Sequence, residues 1–240
     1  MIEKKPVLRA VLLAAGRGKR LQPYTDTVPK PLLAHKGRPT LDYLLDSLLA
    51  AGVQDVVLVA NHLSEQIEQY AVKRSASHAQ RVQVAFQGHL AGTAHALECA
   101  IDQYPDIASE PFILSATDYL VPREFFSDLL NFHSTHMAEL TVSMKTLTED
   151  EIAQRSSIRF AKEDAIVEIV EKPAPGTAPS SIGANLTFVL PPSITAYLEE
   201  VAISPRGERE VQQAINSWLR QGGQGFGLLQ REPPGWQAPT

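Results

Sequence analysis

The chain holds a single cysteine, Cys99, in 240 residues. One thiol can make neither an intrachain disulfide nor a cysteine-built zinc cluster, which points to a reducing compartment. No apolar run approaches the roughly 18 residues of a spanning helix, so no membrane partner is expected. The chain also lacks a basic excess. Its net charge is -5 and its pI about 5.8, so nucleic acid is not an expected partner either. Any anion site must be local. The opening MIEKKP and VLRAVLLAAG have the outline of a secretory leader, but Arg9 interrupts the apolar run and GRGKRL does not look like the start of a mature chain. The cytoplasm is the expectation. Internal repeats, low-complexity blocks and interdomain linkers are missing too. With 44% hydrophobic and 20% charged residues, one α/β domain over 1–240 is expected.

What is present alternates between two periodicities. Short apolar runs at Val7–Ala15, Val56–Ala60, Val82–Phe86 and Phe112–Ala116 read as buried strands. Between them, Thr40–Ala51, Leu63–Val72 and Thr93–Ile101 repeat apolar residues at helical spacing, with Ser64 and Thr93 as candidate caps. Such alternation predicts crossover connections and a mainly parallel sheet covered on both faces. Later, Leu140–Lys145, Ser157–Phe160, Ala165–Val170 and Ala184–Leu190 are strand-like with shorter gaps, which predicts an added antiparallel region. PAPGTAPSS reads as a loop, Ser193–Val201 and Arg209–Gln221 as helices, and GGQGFG as a turn into a last strand.

The loop after the first strand, GRGKRLQPYTDTVPKPLL, combines glycines with cations. Gly16 and Gly18 let backbone amides approach phosphate oxygens. Arg20 offers a planar fork, and Lys30 a compact cation held between two prolines. Lys30 is too far from the glycines for a Walker A loop. Leu21 stands where a dinucleotide fingerprint needs its third glycine. Two glycines after a strand commonly make only a strand-to-helix turn.

The whole stretch nevertheless resembles the signature GxGTRLxPxTxxxPKPLL of the sugar-1-phosphate nucleotidyltransferases. The likeness continues through GRPTLDYLLDSLLAAGVQDVVLV and, more loosely, over most of the chain. It implies a Rossmann-like three-layer α/β/α fold, with a nucleotide-binding half at 1–120 and a sugar-phosphate-binding half at 121–240. It also implies a reaction: a sugar-1-phosphate oxygen attacks the α-phosphorus of a nucleoside triphosphate and pyrophosphate leaves, without a covalent enzyme intermediate. By resemblance Ala14, Ala15, Gly16 and Gly18 bind nucleotide, Arg20 holds the departing pyrophosphate and Lys30 the α-phosphate. Lys19 replaces the usual threonine; it either adds a cation or points to solvent.

Three further stretches carry the likeness. FQGHLAGTAHAL matches QxxxxGxxHA, implying Gln87, Gly92 and Thr93 in nucleotide binding, with Gln87 on a uracil or thymine edge. His95 reads as structural and His89 as solvent-facing. In ILSATDYL, Asp118 follows a strand, where an aspartate alone more often caps a turn. Its likeness to LxGD implies a Mg2+ ligand, with Thr117 in place of glycine. IVEKPAPG resembles the EKP motif, implying Glu171 on sugar hydroxyls and Lys172 on the sugar phosphate; Gly183 and Asn185 are further sugar-pocket candidates.

One element of the pattern is missing. A late WxDxGT-like stretch would place a second acidic ligand where Ala238 stands, close to the final Thr240. ERE at 208–210 suits a helix start and needs no further role. The expected reactants are UTP or dTTP with glucose-1-phosphate. Cytidylyl or guanylyl transfer to another phosphorylated small molecule stays open, as does a catalytically silent nucleotide-sugar-binding regulator. The resemblance also leaves a homo-oligomer open.

Overall fold

A computed structural model describes residues 8–152, 154–161 and 165–231. The Trp236–Thr240 stretch with Ala238 lies outside them. Along the chain run β1 (Arg9–Leu13), β2 (Ala34–His35), β3 (Arg38–Pro39), α1 (Thr40–Ala50), β4 (Asp55–Ala60), α2 (Ser64–Ser77), β5 (Arg81–Phe86), α3 (Thr93–Gln103) and β6 (Phe112–Ala116). There follow α4 (Phe125–Thr135), β7 (Leu140–Thr146), α5 (Glu149–Ile152), β8 (Ser156–Phe160), β9 (Ala165–Glu171), β10 (Ile182–Leu190), α6 (Val211–Arg220) and β11 (Gly225–Leu229).

Nine strands form one sheet in the order β5-β4-β1-β6-β10-β7-β11-β9-β8. β5, β4, β1 and β6 are mutually parallel. β10 then runs antiparallel between β6 and β7, while β11 lies parallel to β7. β9 and β8 close that edge in antiparallel pairs, and β2–β3 is a separate small hairpin. This is the expected mixed, mainly parallel sheet with helices on both faces.

Strand alternation builds the two cores. On β4, Val57 and Val59 face one side, and Val56, Leu58 and Ala60 the other; all are buried. The first side is covered by α3 and α6, the second by α1, α2 and α4. In α6, Val211, Ala214, Ile215, Trp218 and Leu219 are buried at helical spacing, so this helix belongs to the core.

The structure corrects local expectations. Ser193–Val201 is not an α-helix: a 3-10 turn spans Pro192–Tyr197 instead. Ser64 and Thr93 are the first helical residues rather than caps, following Leu63 and Gly92 in left-handed backbone.

Candidate active site

The site lies beyond the carboxyl ends of parallel strands, where open α/β sheets bind ligands. A cleft of about 660 Å³ is walled by Leu13–Lys19 after β1, by the stretch around Gln87 after β5, and by Ala116–Asp118 after β6. Hydrogen bonds fix these strand ends together. Ala14 N–H donates to Val59 O (2.9 Å), and Thr117 Oγ1 donates to Leu13 O (2.9 Å). Gly18 is left-handed (φ 64°), and a Cβ there would meet Thr25 Cγ2 at 2.8 Å. Thr25, itself buried, donates through Oγ1 to Gly18 O (3.0 Å), which holds the glycine turn against the next one.

Lys30 opens the 3-10 turn Lys30–Leu32, seated by Thr40, whose Oγ1 donates to Pro31 O (2.9 Å). From there Lys30 Nζ reaches Asp118 Oδ2 at 2.6 Å. Two groups distant in sequence thus meet at one wall of the cleft. Both side chains stay partly exposed, so the charges remain available to a ligand. Arg17 and Lys19 line the same cleft. Arg20 is exposed, lines neither this cleft nor its neighbour, and makes no ion pair among the described residues.

A second cavity of about 210 Å³ adjoins the first, sharing Thr93, Leu186 and Glu208 with it. Glu171 and Lys172 line it, with Arg155, Arg206, Glu210 and Gln212. Burial and the charge of Glu210 raise the Glu171 pKa, while Arg206 and Lys172 oppose that shift. Glu171 Oε2 accepts from Gln212 Nε2 at 3.3 Å. Lys172 stands in left-handed backbone (φ 45°) directly before Pro173, a conformation that costs about 1 kcal/mol. Its N–H donates to Arg155 O (3.1 Å), which holds the turn in place.

Across the first cleft, Gln87 is buried and its Nε2 donates to Gly92 O (3.1 Å) and to His95 Nδ1 (3.0 Å). Burial, followed by the neighbouring His89, lowers the His95 pKa, which keeps Nδ1 free to accept. His89 is exposed but packs against His95, with ring centroids 4.4 Å apart and planes tilted by 35°. Gly92 (φ 100°) is tightly placed: a Cβ would lie 2.3 Å from Arg209 O. The glycine therefore makes room for another loop of the protein.

Most of the sequence candidates converge. Ala14, Ala15, Gly16, Gly18, Lys30, Gln87, Gly92, Thr93 and Asp118 line the first cavity, and Glu171 and Lys172 the second. Gly183 and Asn185 line neither, unlike Ala184 and Leu186 on the other face of β10. Asn185 is buried and donates through Nδ2 to Ser143 Oγ (3.0 Å), while a Cβ on Gly183 would meet Ser156 O at 2.6 Å. The segment 206–210 was not among the candidates, because ERE before an apolar helix reads as a charged cap. The backbone bonds of Arg209 to Ala91 and Ala94 bring Glu208 between the two cavities.

A sequence profile of the nucleotidyl transferase family matches residues 9–236. The chain belongs to the nucleotidyl transferase family. Among its family relatives, the low-salt glycan biosynthesis nucleotidyltransferase Agl11 of Haloferax volcanii is 29% identical over 234 residues, covering 97% of this chain and 62% of that protein. The UTP–glucose-1-phosphate uridylyltransferase of Bacillus subtilis is 26% identical over 238 residues, covering 88% and 80%. A probable mannose-1-phosphate guanylyltransferase of Oryza sativa subsp. japonica is 27% identical over 205 residues, covering 85% and 55%. The chain thus spans less than two thirds of two of these relatives. The same fold occurs in a crystal structure of UDP-glucose pyrophosphorylase complexed with UDP-glucose, with a TM-score of 0.81 at 20% identity, over 93% of this chain and 91% of that one.

Proposed function

We propose that this member of the nucleotidyl transferase family joins a nucleoside triphosphate to a sugar-1-phosphate, forming a nucleoside diphosphate sugar and pyrophosphate. The observation that carries the reading is the meeting of Lys30 and Asp118 at 2.6 Å in a cleft that adjoins the Glu171–Lys172 pocket. A sugar-phosphate oxygen attacks the α-phosphorus in line, the P–O bond to the β-phosphate breaks, and its electron pair leaves with pyrophosphate. Both reactants are anions, so positioning and charge compensation are the main demands. Lys30 steadies the α-phosphate. Lys172 holds the attacking phosphate, and Glu171 with Gln212 faces the sugar hydroxyls. Arg17, Lys19 and the glycine amides take the triphosphate end, with Arg20 further outward.

Asp118 fits a hard divalent ion such as Mg2+. Such ions need only one or two protein carboxylates when phosphates and waters complete the shell. No group of three or more His, Cys, Asp or Glu residues that could hold a metal occurs among the described residues, so phosphate oxygens would supply much of the coordination. Bound there, the ion would neutralise phosphate charge. Asp118 would hold it, and Lys30, 2.6 Å away, would meet the α-phosphate from the same wall.

UTP or dTTP with glucose-1-phosphate is the preferred reactant pair. The uridylyltransferase relative, of which the chain covers 80%, supports it. The test is pyrophosphate release from a panel of UTP, dTTP, CTP, GTP and ATP against glucose-, mannose- and galactose-1-phosphate, with and without Mg2+. UTP or dTTP should lead, and only with the metal. A lead for GTP with mannose-1-phosphate would move the chain toward the guanylyltransferases. No release with any pair would point to a nucleotide-binding protein without turnover.

A further inference from the structure

The segment between the two cavities is tied to the nucleotide side by more than packing. Arg209 N–H donates to Ala91 O (2.8 Å), Ala94 N–H donates to Arg209 O (2.9 Å), and Val211 N–H donates to Thr93 Oγ1 (2.9 Å). These bonds fill the space that Gly92 leaves open. The Arg209 side chain then turns away from both cavities. Its Nη1 and Nη2 grip the two carboxylate oxygens of Glu98 on α3 at 2.5 and 2.6 Å. Nη2 also donates to Leu198 O (2.6 Å), and Nε to Val201 O (3.1 Å). The pair is only about one-fifth exposed (21% and 17%), so it is far better shielded than a surface salt bridge. Arg209 sits between Glu208, which lines both cavities, and Glu210, which lines the second.

We infer that Arg209 and Glu98 form a positioning clamp that couples occupancy of the sugar-phosphate pocket to affinity in the nucleotide cleft. This rests on the function proposed above. The clamp fixes the spacing between α3, which starts at the nucleotide side, and the segment that carries Arg206, Glu208 and Glu210. A sugar phosphate that orders this segment also orders Gly92 and Thr93, and by reciprocity the nucleotide orders the sugar pocket. Neither residue of the clamp touches a reactant.

The test measures the Kd of an α,β-methylene analogue of the triphosphate that supports turnover, with and without saturating sugar-1-phosphate. The wild-type affinity should tighten about tenfold when the sugar phosphate is present, within the usual range of coupling between sites. In Arg209→Met and Glu98→Gln the enhancement should fall to about twofold or less, and the double variant should lose no more than either single one, because all three break the same pair. KM for both reactants should rise, with kcat changed far less. Unchanged coupling in either variant would overturn the clamp, even if melting temperature fell, since that would mark a purely structural ion pair. A wild-type protein that turns over without coupling would also overturn it and leave the proposed function standing. A wild-type protein that releases no pyrophosphate would overturn the function, and the clamp with it.

Discussion

Lys30 and Asp118 make a 2.6 Å ion pair in which 28% and 38% of the side chains remain exposed. Pairs this exposed contribute little to stability, about 0–1 kcal/mol. On the proposed function, their value lies in what they present to a phosphate. Lys30→Met and Asp118→Asn should therefore each change unfolding free energy by less than ~1 kcal/mol in urea titrations. Turnover, read as pyrophosphate release, should fall on the order of 10²–10³-fold in both. A large loss of stability with turnover retained would show that the pair is a staple. At the same scale, Lys30 was readable from its placement between two prolines, whereas the orientation of Arg20 was not. Arg20 belongs to the 3-10 turn Lys19–Leu21, which lines the cleft through Lys19 instead. A side chain's direction on so short a turn depends on packing that sequence spacing does not report.

Elements carry the site by how they end. α3 starts from Gly92, and the adjacent His95 accepts from Gln87 only while it is neutral. Its pKa is lowered below 6.5, mainly by burial. Below pH 6.5 the unfolded chain takes up a proton that the folded chain resists, so stability falls as pH drops toward the folded-state pKa, then levels off. Above pH 6.5 the effect vanishes. A comparison of melting temperatures between pH 7.5 and 5.5 should show a larger acid loss in the wild type than in His95→Gln; equal losses would remove His95 from this role. Gly92→Ala would force a Cβ to 2.3 Å from Arg209 O in left-handed backbone. It should cost about 1–3 kcal/mol of stability and weaken nucleotide binding, measured by denaturation and calorimetry. Wild-type stability and affinity in this variant would mean the two loops separate freely. The crossover helices were legible because apolar residues recur at i, i+3 and i+4, as in Leu41, Leu44, Leu45 and Leu48. The 3-10 turn at Pro192–Tyr197 was not, since Ile194, Tyr197 and Leu198 recur at i, i+3 and i+4, a spacing that suits a short 3-10 turn and an α-helix alike.

For the molecule as a whole, the alternation of strands and helices over the first half announced the parallel sheet. The insertion of β10 between β6 and β7 could not be read from local pattern, because strand order is decided by long-range packing. That insertion matters for function. It places Leu186 at the boundary of the two cavities and so sets one beside the other. The resemblance located the loops, but only the fold shows that Glu208 and Thr93 belong to both chambers. On the proposed function both reactants occupy these chambers together, so that one phosphate oxygen displaces pyrophosphate directly. Turnover of a chiral α-thiotriphosphate with the sugar-1-phosphate tests this at the reacting atom. A single direct displacement predicts inversion of configuration at the α-phosphorus in the nucleoside diphosphate sugar. Retention would contradict it, because two displacements through an enzyme-bound nucleotidyl group would then be required.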